Sequence, residues 1–211
     1  MAAAESPGCD LNRRLVLLAA AGLLTELMRP ASFAMEGHFM EKIDQSSDRI
    51  NPKAPAALSR FAFLIGKWRF HAKFRPASGG REEFEGTWEG RYILDGYAIA
   101  DEYRMTNASG EVMVLGMNFR VYDSAKQLWN IKWLNALDGT WIDLTSKELG
   151  GAQFDDHSVS YIFKDPGAAW TYTRATYTNI SGAHFTWLGE KSDDRKTWSE
   201  FMVIECHRTG S

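Results

Sequence analysis

Apolar and polar residues alternate from Lys67 onward. Trp68, Phe70, Ala72 and Phe74 fall on one face, and Lys67, Arg69, His71, Lys73 and Arg75 fall on the other. That is the two-residue period of a strand with one buried side. The next segment repeats it, with Phe84, Gly86, Trp88 and Gly90 opposite Glu83, Glu85, Thr87 and Glu89. Turn signals then recur at a steady interval, at Ser78-Gly79-Gly80, Asp95-Gly96, Asn107 to Gly110, Asp123 to Lys126, Asp138-Gly139, Gly150-Gly151, Asp165-Pro166-Gly167, Ser181-Gly182 and Ser192 to Lys196. Nine turns imply ten strands rich in β-branched and aromatic residues. No helix-period segment is long enough for a parallel crossover, so neighbours should pair antiparallel in chain order. The expected fold is all-β, an antiparallel up-and-down barrel of about ten strands. A sandwich would alternate in the same way but would need long Greek-key connections, and the turns here are short. Ahead of the strands, Leu58, Phe61, Phe63, Leu64 and Ile65 form a helix-compatible run that Gly66 ends, which predicts a short helix packed at one end of the barrel.

The first 55 residues follow a different pattern. Arg13-Arg14 precedes an apolar run from Leu15 to Leu24, and Ala31-Ser32-Phe33-Ala34 follows. The run is too short to cross a hydrocarbon core of ~30 Å, so no transmembrane anchor is expected. A basic pair, a short apolar stretch and small residues make the layout of an export signal cleaved near Ala34. It resembles the twin-arginine type, although Asn12, Glu26 and Arg29 depart from that pattern. The expected organisation is a signal over 1–34, a tether over 35–55 and a barrel over 56–211. The mature chain would be periplasmic or secreted from a bacterium. The alternative is an amphipathic or disordered extension of a cytoplasmic protein.

Composition narrows the function classes. With 24 Lys+Arg against 27 Asp+Glu the net charge is −3, which argues against a surface built to neutralise phosphate. The basic face of the first strand lies opposite Glu83, Glu85 and Glu89, so a cross-strand charge ladder is expected there and nucleic acid is not. Of 27 aromatic residues only Phe33 and Phe39 precede residue 61, so the rings belong to the barrel. Cys9 and Cys206 sit at opposite ends and suggest no disulfide framework. His38, His71, His157, His184 and His207 show no metal-ligand spacing. Gly-x-Ser-x-Gly and phosphate-cradling glycine loops are lacking too. No metal and no cofactor is expected.

Several motifs carry a family likeness. Leu64-Ile65-Gly66-Lys67-Trp68, Gly86-Thr87-Trp88-Glu89-Gly90, Ile93-Leu94-Asp95-Gly96, Glu102-Tyr103, Gly116, Tyr122-Asp123, Trp129-Asn130-Ile131-Lys132-Trp133 and Lys196-Thr197-Trp198 resemble an uncharacterised bacterial family of calycin (lipocalin-like) β-barrels, a domain of unknown function. The resemblance covers Ala57 to about Arg208. It implies a barrel with an internal cavity and brings no activity or catalytic residues with it. Gly66-Lys67-Trp68 with Arg208 is similar to the lipocalin arrangement in which an arginine of the last strand covers the tryptophan of the first, a structural closure of the barrel floor. The chain departs from the family at Ser192 to Lys196, where a glycine is usual.

Strand phase selects the candidate site. It places Asp101 and Tyr103 on the inner face of the third strand, Trp129, Ile131, Trp133 and Asn135 on that of the fifth, and Trp170, Tyr172 and Arg174 on that of the eighth. The fourth strand, with Val112, Val114, Asn118 and Arg120 opposite Met113, Leu115, Met117 and Phe119, leaves either set free to face inward, and Trp141 and Asp143 raise the same question. Buried polar groups must pair, bind water or meet a ligand. One reading is an Asp101–Arg174 ion pair closing a filled core. The other is a site for a small apolar or aromatic ligand, with Trp88, Trp133, Tyr172 and Trp187 as stacking walls and Asp101, Tyr103, Asn135 and Arg174 fixing its polar end. The alternative is a cofactor-free lyase, isomerase or cyclase in the same cavity, with Asp101 or Tyr103 as acid/base and Arg174 or Arg120 stabilising negative charge. A purely structural barrel is the third reading, and the sequence leaves room for a homodimer.

Overall fold

The two segments with the cleanest alternation pair as that pattern requires. β1 (Gly66–Phe74) runs antiparallel to β2 (Glu82–Ile93), with Trp68 opposite Trp88 and Ala72 opposite Phe84. A computed structural model describes residues 49–76 and 79–210; the expected export signal, and the tether up to Asp48, lie outside the described residues. The meander continues through β3 (Ala98–Thr106), β4 (Val112–Asp123), β5 (Leu128–Asn135) and β6 (Trp141–Asp143). It resumes with β7 (Gln153–Phe154), β8 (Val159–Phe163), β9 (Tyr172–Thr178), β10 (His184–Ser192) and β11 (Ser199–Gly210).

These form one antiparallel sheet in the order β6-β5-β4-β3-β2-β1-β11-β10-β9-β8-β7. The eleventh strand comes from a turn that no glycine or proline marks, between β7 and β8. The Asp155 carboxylate accepts the backbone N–H groups of His157 and Ser158 at 2.8 and 2.6 Å, which separates β7 from β8. The Ser192 to Lys196 departure also has a local solution. Arg195 takes a positive φ of 59°, and the Asp194 carboxylate accepts the N–H groups of Lys196 and Thr197, each at 2.8 Å. These bonds hold the Asp194 carboxyl down at about 2.

The first and last strands meet in the middle of the sheet, where β1 pairs with β11. The edges are therefore β6 and β7, with no ladder between them. Side chains fill that seam. A 3-10 helix over Ala56–Leu64 buries Leu58, Phe61 and Leu64 completely. Phe61 sits edge-on to Trp129 of β5 at 4.8 Å and to Phe154 of β7 at 5.4 Å. The Thr145 hydroxyl accepts the N–H of Ile131 and donates to the carbonyl of Trp129, covering part of the β5 edge.

The helix is fixed at its C-terminal end by the expected Trp68–Arg208 pair. The two residues are opposite each other in the β1·β11 ladder, and the guanidinium carbon lies 4.0 Å from the indole centroid. Such stacking is worth about 1 kcal/mol. Arg208 also donates to the carbonyl of Ile65 at 2.7 Å, and Trp68 Nε1 donates to that of Leu64 at 3.0 Å. The tether's last residues are tied down as well, with Asn51 donating to the carbonyls of Asp95 and Gly96. On the outer face, the charge ladder is partly realised. Lys67 meets Glu89 at 4.0 Å and His71 meets Glu85 at 2.8 Å.

Gly90 allows the helix to seat, since a Cβ there would lie 2.2 Å from the Leu64 carbonyl oxygen. Gly90→Ala should therefore lift the helix end and cost about 1–3 kcal/mol, several degrees in Tm. Gly182→Ala, in a turn with open space around the position, should stay close to the parent in the same thermal melts.

Candidate functional site

Inward-facing side chains divide the barrel interior into two levels. The level beside the helix is polar at its centre. Asp101 on β3 and Arg120 on β4 are both fully buried and form an ion pair. The Asp101 Oδ1 also accepts Nε1 of Trp88 at 2.7 Å and Nδ2 of Asn118 at 2.8 Å. Arg120 reaches across the interior to donate to the Tyr177 hydroxyl on β9 at 3.0 Å, and that hydroxyl lies 3.3 Å from Tyr161 on β8. The guanidinium carbon stands 5.1 Å from the Phe61 centroid, and Arg120 Nε is buried without a partner among the described residues.

The electrostatics follow from this enclosure. Burial raises the Asp101 carboxyl above its ordinary value, opposed by Arg120, Asn118 and Trp88. Burial also works against the charge on Arg120, but Asp101, Tyr177 and Tyr161 outweigh it and hold the guanidinium protonated. All three groups that meet Asp101 are donors and one of them carries a fixed positive charge, so the surroundings match the ionised carboxylate. The pair is ionic and its acceptors are engaged.

The second level lies toward the opposite end and is apolar. Tyr103 stacks on Phe70 at 4.8 Å with an interplanar angle of 13°, and Trp88 packs edge-on against it at 5.3 Å. The Tyr103 hydroxyl donates to Sδ of Met105 at 3.3 Å, two residues farther along β3. The Trp133 indole lies across Gly116, the residue opposite Tyr103 on β4. Beyond this floor, the inward-facing Phe74, Val114, Trp133, Ile142, Phe163 and Trp187 are only half-buried, although all of them pack against the core. Six strands thus present apolar side chains to one partly solvent-exposed rim.

Several predicted positions differ from this arrangement. Arg174 does not pair with Asp101. The inward phase of β9 belongs to Thr173, Ala175 and Tyr177, so Arg174 faces outward, where it chelates Glu190 at 2.7 and 2.8 Å and lies 4.4 Å from the Trp198 centroid. Tyr172 shares that outer face, between Lys164 and Arg195. Trp170 does not carry the strand's phase, because it precedes β9 and donates to the Thr173 hydroxyl at 2.8 Å. Asn135 ends β5, and its side chain is spent on the turn that follows, accepting the N–H of Leu137 and donating to Asp138. Trp88 lies inside as expected but is fully enclosed, with its indole N–H engaged by Asp101.

On the fourth strand Gly116, Asn118 and Arg120 face in, while Leu115, Met117 and Phe119 face out. Trp141 is 55% exposed and Asp143 pairs with Lys132 at 2.7 Å, so both point outward and Ile142 points in. Tyr177 and Tyr161 were not singled out from the sequence, although their alternation with Ala175 and Val159 carries the signal. Among the described residues, no group of three His, Cys, Asp or Glu side chains is placed to hold a metal. Cys206 is buried, and burial pushes its thiol well up.

No family model matches the chain, and no curated protein matches it in sequence. Solved structures do match in shape. Rv2717c from M. tuberculosis superposes with a TM-score of 0.52 at 10% identity, covering 74% of this chain and 99% of that one. The S-type phycobiliprotein lyase CPES from Guillardia theta gives 0.42 at 10% identity, covering 72% and 92%. A redesigned β-barrel, mFAP1, bound to DFHBI gives 0.37 at 14% identity, covering 70% and 96%. The likeness to Rv2717c shows a shared fold.

The ion pair makes a sharp stability test. Asp101→Ala leaves Arg120 charged, buried and unmatched, and should cost about 3–5 kcal/mol in urea denaturation. The double variant Asp101→Leu with Arg120→Met should recover much of that loss.

Proposed function

We propose that the chain is an exported calycin-like barrel that binds a small apolar or aromatic molecule at the open rim of its interior. One observation carries this reading. Phe74, Val114, Trp133, Ile142, Phe163 and Trp187 lie on the inward phase of six strands toward one end, yet remain half-exposed, while the helix packs at the other end. A concave apolar surface with a few polar groups is the usual form of a small-molecule site. Acid/base catalysis by Asp101 has less support, because its oxygens are engaged and solvent does not reach it.

Nile red, an uncharged dye that brightens on leaving water, should bind the folded protein. Trp187→Arg should weaken that binding by tenfold or more, and Leu115→Arg, on the outer face, should leave it unchanged. Absence of any dye binding to the parent protein would sink the proposal. Export has its own measurement. Expressed in a bacterium with a twin-arginine pathway, the mature protein should begin at Met35 by intact mass, and Arg13→Lys with Arg14→Lys should leave the precursor uncleaved.

A further inference from the structure

The chemistry of the rim restricts what it can hold, and this step rests on the binding reading above. The fully buried inward-facing charges are matched to each other, while Glu82 and Lys191, which share the inward phase at the rim, are exposed and half-buried. The two Asp101 oxygens accept from Trp88, Asn118 and Arg120, and Arg120 is packed over Phe61 on the helix side. Arg174 and Glu190 are paired on the outside. A charged ligand group carried past Glu82 and Lys191 to the level of Tyr103 would lose its water and gain no counter-charge, which is strongly unfavourable.

One polar atom at the boundary is poorly matched. The Tyr103 hydroxyl is buried, and its partner among the described residues is a thioether, a weak acceptor. Its direction is toward Met105 and the rim, since Met105 lies one step farther along the same face and opposite Val114. Burial keeps the phenol protonated by raising it well above its ordinary value. The ring itself is clamped by Phe70, Trp88 and Trp133, so the donor is held in place before a ligand arrives.

We infer that the site selects uncharged, flat aromatic molecules bearing one hydrogen-bond acceptor, such as an aryl ketone or aldehyde, and that Tyr103 is the residue that reads the acceptor. The carbonyl oxygen would replace Met105 Sδ as the acceptor of the Tyr103 hydroxyl, while the ring lies among Trp133, Phe163 and Trp187.

Three naphthalenes test this by calorimetry, namely 2-acetylnaphthalene, 2-ethylnaphthalene and 2-naphthoate. The ratio of ethyl to acetyl Kd should fall by about three- to tenfold on going from the parent protein to Tyr103→Phe, the change expected for loss of one neutral hydrogen bond. Comparing the ratio in the two proteins cancels the difference in ligand hydration. Met105→Leu removes the competing acceptor and should raise the preference for the ketone, giving a second readout should Tyr103→Phe fold poorly. The naphthoate should bind at least tenfold more weakly than the ketone. An unchanged ratio in Tyr103→Phe overturns the role of Tyr103 and leaves apolar binding standing. Tighter binding of the naphthoate overturns the restriction to uncharged ligands. No binding of any of the three, together with no binding of Nile red, overturns both this inference and the function it rests on.

Discussion

The buried Asp101–Arg120 pair is the contact on which the curl of the sheet depends. The sheet has no ladder between β6 and β7, so hydrogen bonds alone do not close it. Arg120 crosses the interior instead. It joins Asp101 and the flanking Trp88 and Asn118 on one wall to Tyr177 and Tyr161 on the other. A guanidinium suits this task because its charge is fixed and its donors diverge in a plane. Burying it is costly, and matched partners on both sides offset that cost. Phe61 supplies the apolar half of the same bridge by lying between Trp129 and Phe154 across the open seam.

This bridge explains why the helix belongs to the fold rather than hanging in front of it. Phe61 covers the guanidinium, and the Leu64 carbonyl receives the Trp68 indole under Arg208. Remove the helix, and the ion pair would face water at one end while the seam lost its filling. The two ends of the interior therefore carry different loads. The helix end holds the matched charges and the fully enclosed rings, and the opposite end carries apolar side chains that the core does not need to cover.

Legibility in the sequence tracked local alternation. β1 and β2 alternate charged with apolar residues, and the inward phase of Trp68 and Trp88 follows from that, whereas the Arg208 contact is legible only through the likeness to the lipocalin closure. β4 carries Leu115, Met117 and Phe119 on its outer face, so hydrophobicity no longer marks the inside. The inward placement of Asn118 and Arg120 depends on their partners in β3 and β9, which no local pattern reveals. Arg174 failed for a related reason. Counting from Trp170 assumed that a tryptophan must face the core, but that residue precedes the strand, and the true phase is carried by the small Thr173 and Ala175. The short β7 was missed because Asp155 makes its turn with a side chain, without a glycine or proline to announce it.

Aromatic residues have two separable uses in this barrel, and the hydrogen-bonding state of each tells them apart. Trp68, Trp88 and Tyr177 each direct a polar atom into a defined partner near the helix, and such fully satisfied groups specify a single arrangement of the core. Trp133, Phe163 and Trp187 sit at the rim and are half-exposed. Tyr103 stands between the groups, with its ring clamped by the first level and its hydroxyl turned to the second. A ring held that firmly loses little further freedom when something stacks beyond it. Selectivity at the rim can then come from a fixed donor in an apolar surround, while the charges that shape the barrel stay out of the exchange.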